Sequence, residues 1–185
     1  MVRSGLSFRR ISRGGPYHRV AEIGWENPMD GAPGMATGGR WNPPGSFPVV
    51  YLNRTVKLAR LYVAQKLRDQ PYGPEDIDPE TGDVLATVSL PAEDHVDVVS
   101  DQGCLAVGLP ATYPNDASGQ VIPHEACQPI SEEAWQAKER GIACRSATAG
   151  AAADDEDLAW FQRDSALTAD RVLSFTGWFF GPDRL

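Results

Sequence analysis

The chain has 185 residues, of which 42% are hydrophobic and 23% charged, with a formal net charge of −8. That length and balance describe one soluble globular domain with a real core. The acidic surplus excludes a general nucleic-acid binder, which needs a basic surface to displace counterions, and no stretch is long and apolar enough to cross a bilayer. With 18 glycines and 15 prolines, many short strands and shaped loops are expected rather than a helical bundle. The cysteines, Cys104, Cys127 and Cys144, are widely spaced and form no paired ligand motif. They suit a reducing cytoplasm, with no zinc site. Met1 to Arg19 lacks the apolar run of a signal peptide, so a cytoplasmic location is expected.

Leu6 to Ser12 reads as a first strand with Phe8 and Ile11 facing the core, and the glycine- and proline-rich stretch to Ala36 reads as a long shaped loop. Pro48 to Leu52 is a short apolar strand. Asn53 or Thr55 can cap a helix running to about Arg68, where Val56, Ala59, Val63 and Leu67 form a stripe at helical spacing. This apolar helix is expected to be well buried. Pro74 to Asp83 is an acidic turn region. Val84 to Leu90 is a strand stopped by Pro91, and His95 to Ser100 is another; Gly108 to Gly119 is an irregular loop. A second helix is predicted to begin at Ser131. Glu132 and Glu133 in its first turn and Lys138 and Arg140 in its last both complement the helix dipole, and Gly141 stops it. Ile142 to Ser146 and Leu158 to Phe161 read as strands around an Ala/Asp loop, and the aromatic run Val172 to Phe180 packs the C-terminus onto the domain. Strands outnumber helices in a mixed order. The expected class is α+β, one domain over residues 1–185 with mixed β-sheets and a few helices.

The stretch Gly38-Gly39-Arg40-Trp41-Asn42-Pro43-Pro44 carries the most chemistry. Two glycines let a backbone approach a ligand closely, and two prolines freeze the exit of the turn. An arginine held there presents a planar fork of donors that matches a phosphate. Elsewhere the signals are negative. No glycine-flanked serine forms a nucleophile elbow, and Gly38-Gly39 lacks the spacing of a dinucleotide fingerprint. His124 and Glu125 sit in a stretch that reads as a proline-bounded loop. What remains is a distributed set: Arg9 on the first strand, Arg40 on the turn, Tyr51 on the next strand, Tyr62 on the helix and Ser146 at the end of a late strand. Arginines with tyrosines suit a ligand that has phosphates and aromatic rings.

Gly39 to Pro44, with the following Pro48-Val49-Val50-Tyr51-Leu52, resembles the signature of the RES-domain family, the toxin half of RES–Xre toxin–antitoxin pairs. Cys127-Gln128 and Gly141-Ile142-Ala143-Cys144-Arg145-Ser146 resemble its later motifs, so the likeness runs from about Phe8 to Phe161. The resemblance implies an ADP-ribosyltransferase-like fold and an activity on NAD: phosphorolysis, hydrolysis or ADP-ribosyl transfer, with no metal. It also implies a protein antitoxin of the Xre type as partner. By position it carries the family's arginine to Arg40 and its serine to Ser146. Arg9 and Arg40 are implied to hold phosphate, and Tyr51 and Trp41 to line the substrate site. The family's glutamate falls at Tyr62, and no acidic residue occurs between Tyr51 and Arg68. A neutral tyrosine cannot offset the positive charge that builds on the ribose when its bond to nicotinamide breaks. Either another acid, with Glu125 the candidate, reaches the site, or the chain is a non-catalytic nucleotide-binding or antitoxin-binding module.

Overall fold

A computed structural model describes residues 6–182. Among the described residues, six strands form one mixed sheet: β1 (Arg10–Ala21), β2 (Val49–Asn53), β3 (Val84–Val98), β4 (Gly141–Arg145), β5 (Glu156–Phe161) and β6 (Arg171–Leu173). Four helices accompany them: α1 (Val56–Leu67), α2 (Asp101–Ala106), α3 (His124–Gln136) and α4 (Phe175–Phe179). The α+β expectation holds.

The strand order is β1-β2-β5-β4-β3-β6, and β1 also pairs with β3 from Arg10↔Val96 to Ala21↔Val84. The first five strands therefore close into a ring. The β1–β2 junction is its weakest seam, with the single register pair His18↔Asn53. All pairings are antiparallel except β3 with β4, which join in parallel over Val96–Val98. β6 pairs with the beginning of β3 at Leu85–Thr87.

Alternation along the central strands sorts the core into layers. Val50, Leu52, Ala143 and Leu158 pack with Tyr17, Met29, Val88 and Leu90 in one cluster. Val49, Ile142, Cys144, Ala159 and Phe161 point the other way, into a cluster with Cys104, Cys127 and Ile130 of α2 and α3. A third cluster joins Val56, Ala59 and Val63 of α1 to Leu85, Phe175 and Trp178, so the aromatic C-terminal run is packed onto the domain as expected.

Several boundaries differ from the sequence reading. β1 is not Leu6 to Ser12. It runs on to Ala21, through what reads as loop, because Gly14 lets β1 stay paired across a bulge in β3. Pro91 and Ala92 together oppose Gly14, between the register pairs Arg13↔Glu93 and Gly15↔Leu90. A Cβ on Gly14 would lie 2.7 Å from the Ala92 Cα, so only glycine permits this approach. The same bulge explains why Pro91 does not stop β3: a residue without an N–H is tolerated where the ladder is already interrupted.

α2 was not expected. Its cap is Ser100, whose side chain accepts the Gly103 N–H at 2.9 Å. α3 begins at His124, seven residues before Ser131, and contains Pro129. The helix tolerates this proline near its start, where the missing N–H leaves only the Glu125 carbonyl unbonded, close to the open N-terminal end. His124 and Glu125 thus lie in a helical first turn rather than a loop. α1 matches its expectation closely: Thr55 is the N-cap and accepts the Leu58 N–H at 3.2 Å. Only one face of it is buried, however, and Tyr62 is 41% exposed.

Candidate active site

The turn before β2 is built by local chemistry. The Gly39 N–H donates to the Asn42 carbonyl at 2.8 Å, which leaves Arg40 and Trp41 at the tip. Gly38 has φ of +66°, and a Cβ there would meet the Pro44 nitrogen at 2.6 Å; this position requires glycine. Tyr51 on β2 then clamps the turn from beneath. Its hydroxyl accepts the Trp41 N–H at 2.8 Å and donates to Asn42 Oδ1 at 2.7 Å. Burial pushes the Tyr51 phenol well above its ordinary range.

α3 holds the turn from the other side. Gln128 Nε2 donates to the Gly39 carbonyl at 3.0 Å. Arg40 donates through one terminal nitrogen to the Ile122 carbonyl at 2.6 Å, with the Cys127 sulfur at 3.7 Å from the same nitrogen. The turn and the Cys127-Gln128 segment, 87 residues apart in sequence for Arg40 and Cys127, therefore meet in space. The remaining donors of Arg40 have no protein acceptor among the described residues.

Arg40 faces a cleft of about 410 Å³, within the size range of small-molecule sites. Its floor comes from the ends of three adjacent strands. Tyr51 pairs with Ala159, and Asp157 lies between Asn53 and Cys144; all five line the cleft. Tyr62 and Gln65 of α1 form one wall, and Arg19 with Trp25 forms another. His124 and Tyr113 stand near Arg40. Burial lowers the His124 imidazole and Arg40 lowers it further, so it is neutral at pH 7.

The candidate residues divide as follows. Arg40, Tyr51 and Tyr62 come together in the cleft. Trp41 lines it too, but its ring is 1% exposed and packs against Tyr113, with centroids 6.1 Å apart; it belongs mainly to the core. Tyr51 offers the cleft its ring, since its hydroxyl is committed to the turn. Ser146 is buried beyond the end of β4 and is not among the residues lining the cleft. Its hydroxyl bears on the site through Asp157, whose charged carboxylate it favours.

Two candidates lie elsewhere. Arg9 is exposed, outside the cleft, on the stretch leading into β1; its carbonyl accepts the Asp97 N–H at 2.9 Å. Glu125 is exposed on the first turn of α3 and does not line the cleft either, because its side chain projects from the helix toward solvent while His124 faces Arg40.

The residues that sequence reasoning missed are Arg19, Trp25 and Asp157. Arg19 is 7% exposed, donates to the Asp30 carbonyl at 2.7 Å and lies 5.0 Å from the centre of the Trp25 ring. Burial lowers its guanidinium to about 10, against the pull of Asp30, and it remains charged at pH 7. Arg19 and Arg40 thus border one cleft, which Arg145, paired with Asp101, also lines. Asp157 accepts a hydrogen bond from Asn53 Nδ2 at 2.8 Å. Burial raises its carboxyl, while the hydrogen bonds from Ser146 and Asn53 and the charge of Arg40 act the other way and Asp155 adds to the rise. Among the described residues no group of three or more His, Cys, Asp or Glu side chains could hold a metal ion.

No curated protein matches the chain. Among solved structures, a chain of the crystal structure of the M. tuberculosis MbcT–MbcA toxin–antitoxin complex superposes with a TM-score of 0.71 over 92% of both chains, at 20% identity. At that identity the likeness concerns the fold. The family model of the RES domain matches residues 9–179, a span that takes in the Arg40 turn, α1, α3 and the strands under the cleft, and the chain therefore belongs to the RES-domain family.

Proposed function

We propose that this chain is a toxin enzyme that consumes NAD by breaking its nicotinamide–ribose bond, and that a protein antitoxin, expected to be of the Xre type, restrains it. The observation that carries the reading is the pairing of Arg40 and Arg19 across a cleft lined with aromatic rings. A dinucleotide offers a pyrophosphate to two guanidinium groups and flat rings to tyrosine and tryptophan faces. Arg40 is held by the Tyr51-braced turn and by the Ile122 carbonyl, so little side-chain freedom is lost when a phosphate binds. Membership of the RES-domain family and a fold shared with a chain from a toxin–antitoxin complex support both the activity and the partner.

Purified protein incubated with NAD, with and without phosphate, tests the activity when products are identified by mass. ADP-ribose indicates hydrolysis, a phosphorylated ADP-ribose indicates phosphorolysis, and mass added to a protein indicates transfer. Intact NAD after prolonged incubation would refute the enzyme.

One observation favours a second reading. α1 carries no acid facing the cleft, and Tyr62 stands there instead. In a non-catalytic nucleotide-binding or antitoxin-binding module, the pocket would survive without turnover. NAD bound but never cleaved is its signature.

A further inference from the structure

Departure of nicotinamide from NAD needs a negative charge near the ribose. The bond from the ribose carbon to the ring nitrogen breaks, its electron pair stays with the nitrogen, and the cationic ring leaves as neutral nicotinamide. The positive charge passes to the ribosyl group, which takes an oxygen from water or phosphate; with water, one proton is released. A carboxylate beside the sugar lowers the barrier by meeting the charge as it moves.

Asp157 is the one carboxylate among the described residues that line the cleft. It comes from β5 rather than from α1. The register puts it between Asn53 and Cys144 on the sheet face that carries Tyr51, with Arg40 near enough to favour its charged form. Asn53 holds it, donating to Oδ1 at 2.8 Å, and the Ser146 hydroxyl favours its charged form. Ser146 is itself fixed, since its oxygen accepts the Thr148 N–H at 3.2 Å and its own N–H donates to the Asp155 carbonyl at 2.8 Å. The arrangement is a carboxylate oriented by neighbouring donors at the foot of a cleft whose rim is cationic.

We infer that Asp157 is the acid of this site: it faces the nicotinamide ribose and supplies the charge that α1 lacks, with Ser146 and Asn53 as its positioning residues. The inference rests on the NAD reading. Substrate is then oriented with its pyrophosphate toward Arg40 and Arg19 and its cationic ring toward Asp157. A cleft with cations at one side and an anion at another favours the oxidised dinucleotide over the reduced one, whose ring is neutral.

The test uses the full chain and its Asp157→Asn variant, which is nearly isosteric and keeps an acceptor for Asn53. NAD turnover is measured by product mass. Affinities for a non-cleavable carbocyclic NAD, whose ring is cationic, and for NADH are measured by calorimetry. Wild type is expected to prefer the cationic ring about tenfold, as one partly screened ion pair provides. Asp157→Asn is expected to lose about a hundredfold or more in turnover and most of that preference, while NADH affinity is retained. Ser146→Ala should show a smaller loss of turnover and a shifted pH profile.

Wild-type-like turnover and ring preference in Asp157→Asn would overturn the assignment, as would loss of turnover in Glu125→Gln with Asp157→Asn unaffected. If wild type binds neither dinucleotide, the NAD reading itself has failed, and the assignment falls with it.

Discussion

The Tyr51 hydroxyl sits 2.8 Å from the Trp41 nitrogen, and through that bond a strand residue sets the shape of the turn that presents Arg40. The same oxygen donates to Asn42 Oδ1 at 2.7 Å. Tyr51→Phe keeps the ring in the cleft but leaves the Trp41 N–H and the Asn42 oxygen without this partner. A stability loss of about 1–3 kcal/mol is expected, the cost of stranding buried polar groups. Urea unfolding reads it as a lower midpoint with an unchanged slope. An unchanged midpoint would mean that the turn holds itself.

Gly38→Ala tests the same turn from its other end. With φ at +66° and the Pro44 nitrogen 2.6 Å from the added Cβ, the turn has to open. A loss of at least about 1 kcal/mol of stability follows from a non-glycine residue forced into this region, together with weaker nucleotide binding. Calorimetric unfolding and NAD titration check the two parts separately.

For Arg40, truncation should act on affinity. Arg40→Ala is expected to weaken NAD binding by about 1.5–3 kcal/mol, the range for a hydrogen bond to a charged group. Arg19→Ala should weaken it comparably and also destabilise the fold, because Arg19 anchors the Asp30 carbonyl and stacks on Trp25. Isothermal titration with NAD decides this; unchanged affinity in both variants would remove the phosphate role.

How much of this was legible in the sequence depends on the range of the interactions involved. The Arg40 turn, β2 and the Thr55 cap of α1 are specified by residues a few positions apart, and they fall where the sequence puts them. β3 does not, because Pro91 is rescued by Gly14, 77 positions away, through a bulge that only the paired strands reveal. Arg19 was hidden by the same error: with β1 ended at Ser12, the residues that carry the chain into the cleft read as loop. Asp157 reads as part of an acidic loop until β2 and β4 pair on either side of β5 and fix which face it occupies. Glu125 is placed differently for the opposite reason, since the proline bounds that suggest a loop in fact start a helix, and its first turn leaves Glu125 outside the cleft lining.

Tyr62→Glu is expected to fold normally, with a stability change within about 0.5 kcal/mol, because the side chain is 41% exposed. The burial expected for this helix would have made the change costly; the structure removes that objection. Placed on the cleft wall, the new carboxylate should raise NAD turnover and partly restore it in an Asp157→Asn background. A folded double variant with no recovery would show that an acid on α1 cannot reach the sugar.

Stability should also report on Asp157 through pH. Its folded pKa lies above the ordinary aspartate value because of burial. Between the unfolded and folded pKa values the native state holds more protons than the unfolded state, so this group's contribution falls as pH rises through that window. Arg40, Ser146 and Asn53 limit the rise, and Asp155 adds to it. Asp157→Asn is therefore expected to match or exceed wild type in thermal stability at pH 7, and to lose that advantage as the pH is lowered through the window. Parallel melting curves of the two proteins check the sign.

The strand order has a consequence for the timing of synthesis. β5 is the fifth strand made, yet it lies between β2 and β4 and carries both Asp157 and Ala159 beneath the cleft. A nascent chain that has emerged only as far as β4 has its Arg40 turn and α3 complete, but two strand edges face an empty lane where the floor belongs. A partial product of translation at that stage lacks the strand that supplies Asp157 and Ala159 to the cleft. Since cells add about 5–20 residues per second, the interval between the first recognisable surface and the first competent molecule is a matter of seconds. A chain built in this order completes its cleft last, after the Arg40 turn and α3 have already emerged.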